Sequence, residues 1–150
     1  MLLSSCHFLA PRDLGDLKKV KDVDGLKHMD GVWMATGITY DLMRNMGYPM
    51  DSVRMDLHGD STFTIEHLPD CVEDQFGNTV YKQLFAGAGK WTVYQFGGTW
   101  TLRLDFERAC SAGRGLSLDM NVYRDGGRLI VSQYIGDPDA VKVLELYRVE

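Results

Sequence analysis

Few of the residues that build metal centres or disulfide scaffolds occur in this chain. The 150 residues include only 3 cysteines and 4 histidines. No Cys-x-x-Cys, His-x-x-x-His or His-Glu-x-x-His spacing is present, and such closely spaced ligands are typical of zinc sites. We therefore expect no metal and no cofactor. Long apolar runs are also missing, since no stretch approaches the roughly 18 residues of a membrane-spanning helix.

Positive charge is scarce. Lysine and arginine number 16 against 21 aspartates and glutamates, which gives a net charge of −5. Binding to nucleic acid requires a cationic surface that neutralises phosphates, and attraction to anionic lipids requires basic clusters. We therefore expect no nucleic-acid partner, and no membrane contact through the folded domain.

Motifs that mark a catalytic nucleophile are absent as well. The sequence has no Gly-x-Ser-x-Gly, and "GAGKW" lacks the spacing of a phosphate-binding loop and leads into a strand rather than a helix. We interpret "GAGKW" as a tight turn. The expected class is a protein that is not an enzyme.

The residues that are present describe an all-β domain. Hydrophobic residues make up 45% of the chain and charged residues 25%, which is typical of a single globular domain. Residues 1–20 predict an irregular leader or tether, and 21–150 one domain. Alternating apolar and polar residues predict eight strands, near 31–36, 52–58, 62–67, 89–96, 99–107, 116–123, 128–135 and 142–149.

One short helix is predicted between the first two strands. It covers residues 39–46, with Thr39 as its cap and Gly47 at its end. Serial hairpins with one apolar face predict an eight-stranded antiparallel up-and-down barrel, because closure removes exposed sheet edges. A two-sheet sandwich is the alternative architecture.

Two resemblances support the barrel. "GVW" at the first strand, with Arg148 on the last, resembles lipocalin-like (calycin) barrels, which implies that Arg148 packs over Trp33 and closes one barrel end. The order of "GVW", "GDSTFTIEHLPDC", "GAGKW" and "IGDPD" over residues 30–150 is similar to a group of uncharacterised bacterial proteins. Many of those are predicted lipoproteins. This resemblance implies the fold and a cell-envelope location, and it implies no activity.

Two alternative functions are consistent with the predicted barrel. An eight-stranded lumen is filled by side chains or holds one small ligand, and we leave both open. The first hypothesis is a non-catalytic barrel that binds a small apolar molecule through lumen or mouth residues, namely Trp33, Tyr40, Met43, Phe63 and Trp100. The second is an inhibitor or immunity-type protein, acting as a monomer on a bacterial toxin or envelope enzyme. Its acidic charge and a long loop over 68–88 suggest this role, with Phe76, Tyr81 and Phe85 as contacts.

The opening residues bear on the compartment. Leu-Ser-Ser-Cys, ending at Cys6, resembles the site at which bacterial lipoproteins are cut and lipidated. If the native start lies further upstream, we expect a lipid anchor at Cys6 on the periplasmic side of the cell envelope. Cys71 and Cys110 would then remain to form a disulfide. Otherwise we expect a cytoplasmic protein with three thiols.

Overall fold

A computed structural model describes residues 18–20, 26, 28–73, 82–107, 116–136 and 142–150. These contain nine strands, one α-helix and one short 3-10 helix. The strands are β1 (Lys18–Lys19), β2 (Gly31–Ala35), β3 (Arg54–Leu57), β4 (Thr62–Pro69), β5 (Leu84–Phe96), β6 (Thr99–Phe106), β7 (Ser117–Asp125), β8 (Arg128–Tyr134) and β9 (Val143–Arg148). The α-helix α1 covers Gly37–Met46, and the 3-10 helix covers Asp70–Glu73.

Strands β2 to β9 close into a barrel. Each pairs antiparallel with the next strand along the chain, and β2 pairs with β9 to complete the circle. The predicted eight-stranded up-and-down barrel with one short helix after its first strand is therefore confirmed. Because the strands alternate in direction, one barrel end, here called the turn end, holds the start of β2 and the hairpin turns at 58–61, 97–98 and 126–127. The helix end lies opposite.

The period-two pattern sets the core. In β6, Leu102, Leu104 and Phe106 are buried, whereas Asp105 is exposed. Residues of all eight barrel strands contribute to one apolar cluster that fills the interior. Within the described part of the chain, no helix is long and apolar enough to span a membrane.

Helix α1 lies at the helix end and begins earlier than the sequence predicts. Its N-cap is Thr36, and Thr39 lies inside the helix instead of capping it. The Thr39 hydroxyl is buried, donates to the Glu145 carbonyl and accepts from the Glu145 amide, both at 2.7 Å. This contact joins α1 to β9 just beyond the point where β2 stops pairing with β9. Gly47 ends the helix with a φ of 79°, as predicted.

The loop predicted over 68–88 is much shorter in the structure. β4 extends to Pro69, the 3-10 helix follows, and β5 begins at Leu84. The predicted turn at "GAGKW" is wrong, because Gly87 and Gly89 lie within β5 and pair with β4. A Cβ at Gly89 would stand 1.9 Å from the Asp105 carbonyl oxygen, so these glycines permit close strand approach.

The end of the predicted tether also belongs to the barrel. Lys18 and Lys19 pair with Arg124 and Tyr123 of β7. Pairing between β6 and β7 stops at Asn121, so this part of the β7 edge is free to pair with β1. Val20, the next residue, is buried in the core. Residues 18–20, the end of the predicted tether, therefore contact the barrel.

Candidate functional site

The predicted lumen residues form part of a packed core. Trp33, Met43 and Phe63 are at most 1% exposed, while Tyr40 and Trp100 are half-buried and pack against them. In the described residues, the lumen is thus occupied by side chains. Of the two outcomes left open by the sequence, the structure favours the filled lumen.

Phe85 was expected to contact a partner from a loop, and it lies elsewhere. It is a β5 residue, and its ring packs on Phe106 with centroids 6.1 Å apart. Phe106 in turn meets Phe63 edge-on at 5.0 Å. Phe85 therefore belongs to the aromatic packing of the interior. The other two predicted contact residues, Phe76 and Tyr81, lie outside the described residues.

The turn end of the barrel is closed around Trp33. Its indole nitrogen donates to the Met29 carbonyl at 3.0 Å. Arg148 stands opposite Trp33 in the β2–β9 register, as the resemblance implies. Its guanidinium contacts the main chain just before β2. It lies against Gly31 and donates from Nε and Nη2 to the Asp30 carbonyl, at 3.0 and 2.9 Å.

A polar cavity of about 180 Å³ opens at this same end. Its lining combines the β7–β8 hairpin, the end of β9 and the segment before β2, and consists of His28, Arg124, Gly127, Arg128, Leu129, Arg148 and Glu150. We call it the turn-end pocket. Gly126 and Gly127, with φ of 56° and 90°, form the tight turn of this hairpin. Arg124 is opposite Leu129 in the register and Arg128 is opposite Asp125, so the two arginine side chains lie on opposite faces of the sheet.

The three arginines of the turn-end pocket differ from the other described arginines. Each of the others forms an ion pair with an aspartate: Arg44 with Asp41, Arg54 with Asp56 and Arg103 with Asp119. No pocket arginine has an ion pair within 4.0 Å among the described residues. Arg128 instead lies 4.7 Å from the centroid of the Tyr147 ring, and Arg148 bonds a main-chain carbonyl.

A second polar cluster is buried near the helix end. The Tyr48 hydroxyl donates to the Asp70 carboxylate at 2.6 Å, and Cys71 adjoins the pair. Burial raises the pKa of Tyr48 above its ordinary value, and it raises the pKa of the Cys71 thiol to about 11. A thiol that stays protonated at neutral pH is a poor nucleophile. This cluster therefore has a structural character.

Cys71 is a free thiol in the structure and is 1% exposed. Its predicted partner Cys110 and the predicted lipidation site Cys6 lie outside the described residues, so the disulfide and the anchor remain predictions. Among the described residues, no three His, Cys, Asp or Glu side chains are grouped to hold a metal ion.

The β5–β6 hairpin projects past its neighbours at the turn end. β4 pairs with β5 only as far as Lys90, and the Trp91 amide donates to the Ser61 carbonyl at 2.9 Å. Residues 92–96 of β5 continue beyond this point and have no strand partner on that side within the described chain. Phe96, at the tip, is 77% exposed.

Of the ionisable residues that line the turn-end pocket, sequence reasoning identified Arg148 and missed four: His28, Arg124, Arg128 and Glu150. The motif "RDGGR" carried a usable signal, because an Asp-Gly turn between strands places its flanking residues at one barrel end. Counting strands would have put those arginines at the same end as Arg148. Comparison of the chain with models of protein families, with curated proteins and with solved structures finds no match.

Proposed function

We propose that this protein is a non-catalytic, lipocalin-like binding barrel that takes a small ligand in the turn-end pocket instead of the lumen. The observation that carries the proposal is the turn-end pocket itself. It is a concave site lined by five ionisable residues, in a barrel whose interior is otherwise packed. Convergent polar groups in a cavity are typical of ligand sites.

The size of the pocket restricts the ligand. A volume of about 180 Å³ corresponds to the space of about six water molecules. This is below the roughly 300 Å³ at which pockets for drug-sized molecules begin. A small apolar molecule in the lumen, the ligand expected from the sequence, has little support beside this, because Trp33 and Phe63 occupy that space.

Mapping of backbone amides by NMR tests the site. Fragments of three kinds are added to labelled protein: neutral polar, anionic and apolar. Saturable shifts confined to residues 126–129 and 148–150 are expected for at least one polar or anionic fragment. Shifts centred on core residues for an apolar fragment would instead place the ligand in the lumen. Absence of any saturable shift would contradict the proposal.

A second candidate function is recognition of a protein partner, as an inhibitor or immunity-type protein. The β5–β6 hairpin favours it, since an exposed aromatic tip and an unpaired strand edge suit addition of an extended partner segment. Affinity capture from the source cell would be compared between the unchanged chain, Phe96→Asp and the control Tyr134→Asp. Loss of a defined partner with Phe96→Asp only would support this function, and equal capture by all three would contradict it.

For the compartment we propose the cell envelope, through lipidation of Cys6 in a longer native chain. The support is the Leu-Ser-Ser-Cys motif. Metabolic labelling of the complete gene product with a palmitate analogue should modify the protein, and Cys6→Ser should abolish the label. An unlabelled product in the soluble fraction would contradict it.

A further inference from the structure

We infer that the turn-end pocket binds a compact oxyanion with two negative charges, such as phosphate or a short dicarboxylate, through Arg124 and Arg148. This inference rests on the proposed function, since it names the ligand class of the same pocket. It requires that the guanidinium groups have unused donors and unbalanced charge, and that the cavity fits the anion.

The charge of the pocket is unbalanced. Three arginines line it, and Glu150 is the one carboxylate side chain in the lining. The formal charge of the lining is therefore positive while His28 is neutral, in a chain whose net charge is −5. Elsewhere in the described chain each arginine is paired with an aspartate, as for Arg103 and Asp119 at 2.8 Å. The pocket lining therefore keeps a net positive charge, whereas aspartates neutralise the other described arginines.

Donor groups remain available. Arg148 uses Nε and Nη2 for the Asp30 carbonyl, which fixes the plane of its guanidinium and leaves Nη1. Arg124 makes no side-chain hydrogen bond to a described residue. Arg128 stacks on Tyr147 and is opposite Asp125 in the register, so its guanidinium lies on the outer face and supplies no donor to the pocket. Planar guanidinium groups bind carboxylate and phosphate oxygens in pairs.

The strand register makes Arg124 and Arg148 one site. Arg124 is opposite Leu129 on one side of β8, and the β8–β9 register puts Arg148 beside Leu129 on the other, so both arginines are on the inner face. Arg148 is also held against Gly31, where the absence of a Cβ lets the guanidinium approach. A Cβ at Gly31 would stand 3.2 Å from two guanidinium nitrogens. Because Arg148 is positioned before a ligand arrives, little ordering of its guanidinium is needed on binding.

Glu150 is the built-in competitor. The residue lines the same cavity, so a carboxylate at this position would repel an incoming anion and compete for the same donors. Neutralising it should strengthen anion binding. If the pocket binds a neutral molecule instead, neutralising Glu150 should weaken its binding or leave it unchanged.

Calorimetric titration with inorganic phosphate and with succinate, in low-salt buffer, tests the inference. We expect saturable binding of at least one of them that weakens with added sodium chloride. Arg124→Gln should weaken it about tenfold or more, and Glu150→Gln should strengthen it several-fold. Arg44→Gln removes the same charge from α1 at the helix end and should leave binding unchanged.

The two anions separate the sources of the oxyanion: preference for phosphate points to a phosphorylated ligand, and preference for succinate to a carboxylate. An equal loss in Arg124→Gln and Arg44→Gln would overturn the inference, because it would indicate attraction to net charge only. Binding of neither anion would also overturn it. If a neutral fragment still shifts the pocket amides in that case, the proposed ligand site stands and only the ligand class is wrong.

Discussion

Substitution of Gly89 by alanine should separate two strands of the barrel. Gly89 is buried in β5, between Phe63 of β4 and Phe106 of β6. A Cβ there would lie 1.9 Å from the Asp105 carbonyl oxygen, 2.9 Å from its carbon and 3.0 Å from the Phe106 Cα. All three are main-chain atoms, so no side-chain rotation relieves the clash. β5 and β6 must move apart locally by about 1 Å or more.

That displacement has an estimable cost. It lengthens two or three ladder hydrogen bonds past their useful range, at about 1 kcal/mol each. Overpacking of a close-packed interior adds about 1–3 kcal/mol. We expect Gly89→Ala to lower the free energy of unfolding by about 3–5 kcal/mol.

Urea unfolding followed by tryptophan fluorescence measures this change. Gly37→Ala is the matched control, because a Cβ there meets nothing within 4 Å. It should leave stability unchanged or raise it by up to about 1 kcal/mol. A loss below about 1 kcal/mol in Gly89→Ala would refute the close-approach reasoning.

Two other predictions concern buried side chains. Trp33→Phe should cost about 1–3 kcal/mol, since it leaves the buried Met29 carbonyl unpaired. Trp100→Phe should cost at least 1 kcal/mol less in the same urea assay, because the buried Trp100 indole nitrogen has no hydrogen-bond partner within the described part of the chain. Burial raises the pKa of Cys71 from 9.0 to about 11, so the folded state disfavours the thiolate. Its contribution is present below about pH 9 and should be lost as the pH rises toward 11, by about 2–3 kcal/mol. Cys71→Ala should flatten that part of the pH profile, and an unchanged slope would contradict the assignment.

The strands of the barrel were predictable because one face of each is buried. Alternation such as Leu102, Arg103, Leu104 needs no knowledge of the neighbouring strands, and serial hairpins leave few ways to close the sheet. The helix cap was harder. Thr36 and Thr39 are both suitable cap residues, and only the position of β9 shows that Thr39 bonds Glu145.

The structural role of Gly87 and Gly89 could not be predicted from the residues next to them in the sequence. In "GAGKW" the same residues suit a turn or a close strand crossing, and the choice depends on Phe106 and Asp105, which are distant in sequence. The turn-end pocket poses the same problem on a larger scale. Its arginines come from two separate segments, and the register of β7, β8 and β9 brings them together.

The central claim is that Arg124 and Arg148 act together as an oxyanion site. The most direct measurement is an NMR spectrum of the arginine side-chain Nε–H groups during titration with phosphate. We predict that the signals of Arg124 and Arg148 shift together and saturate at one common dissociation constant. The signals of the ion-paired Arg44 and Arg103, and of Arg128 on the outer face, should not follow them. Small, linear shifts of equal size at all five would contradict the claim, because they would show only general attraction between phosphate and positive charge.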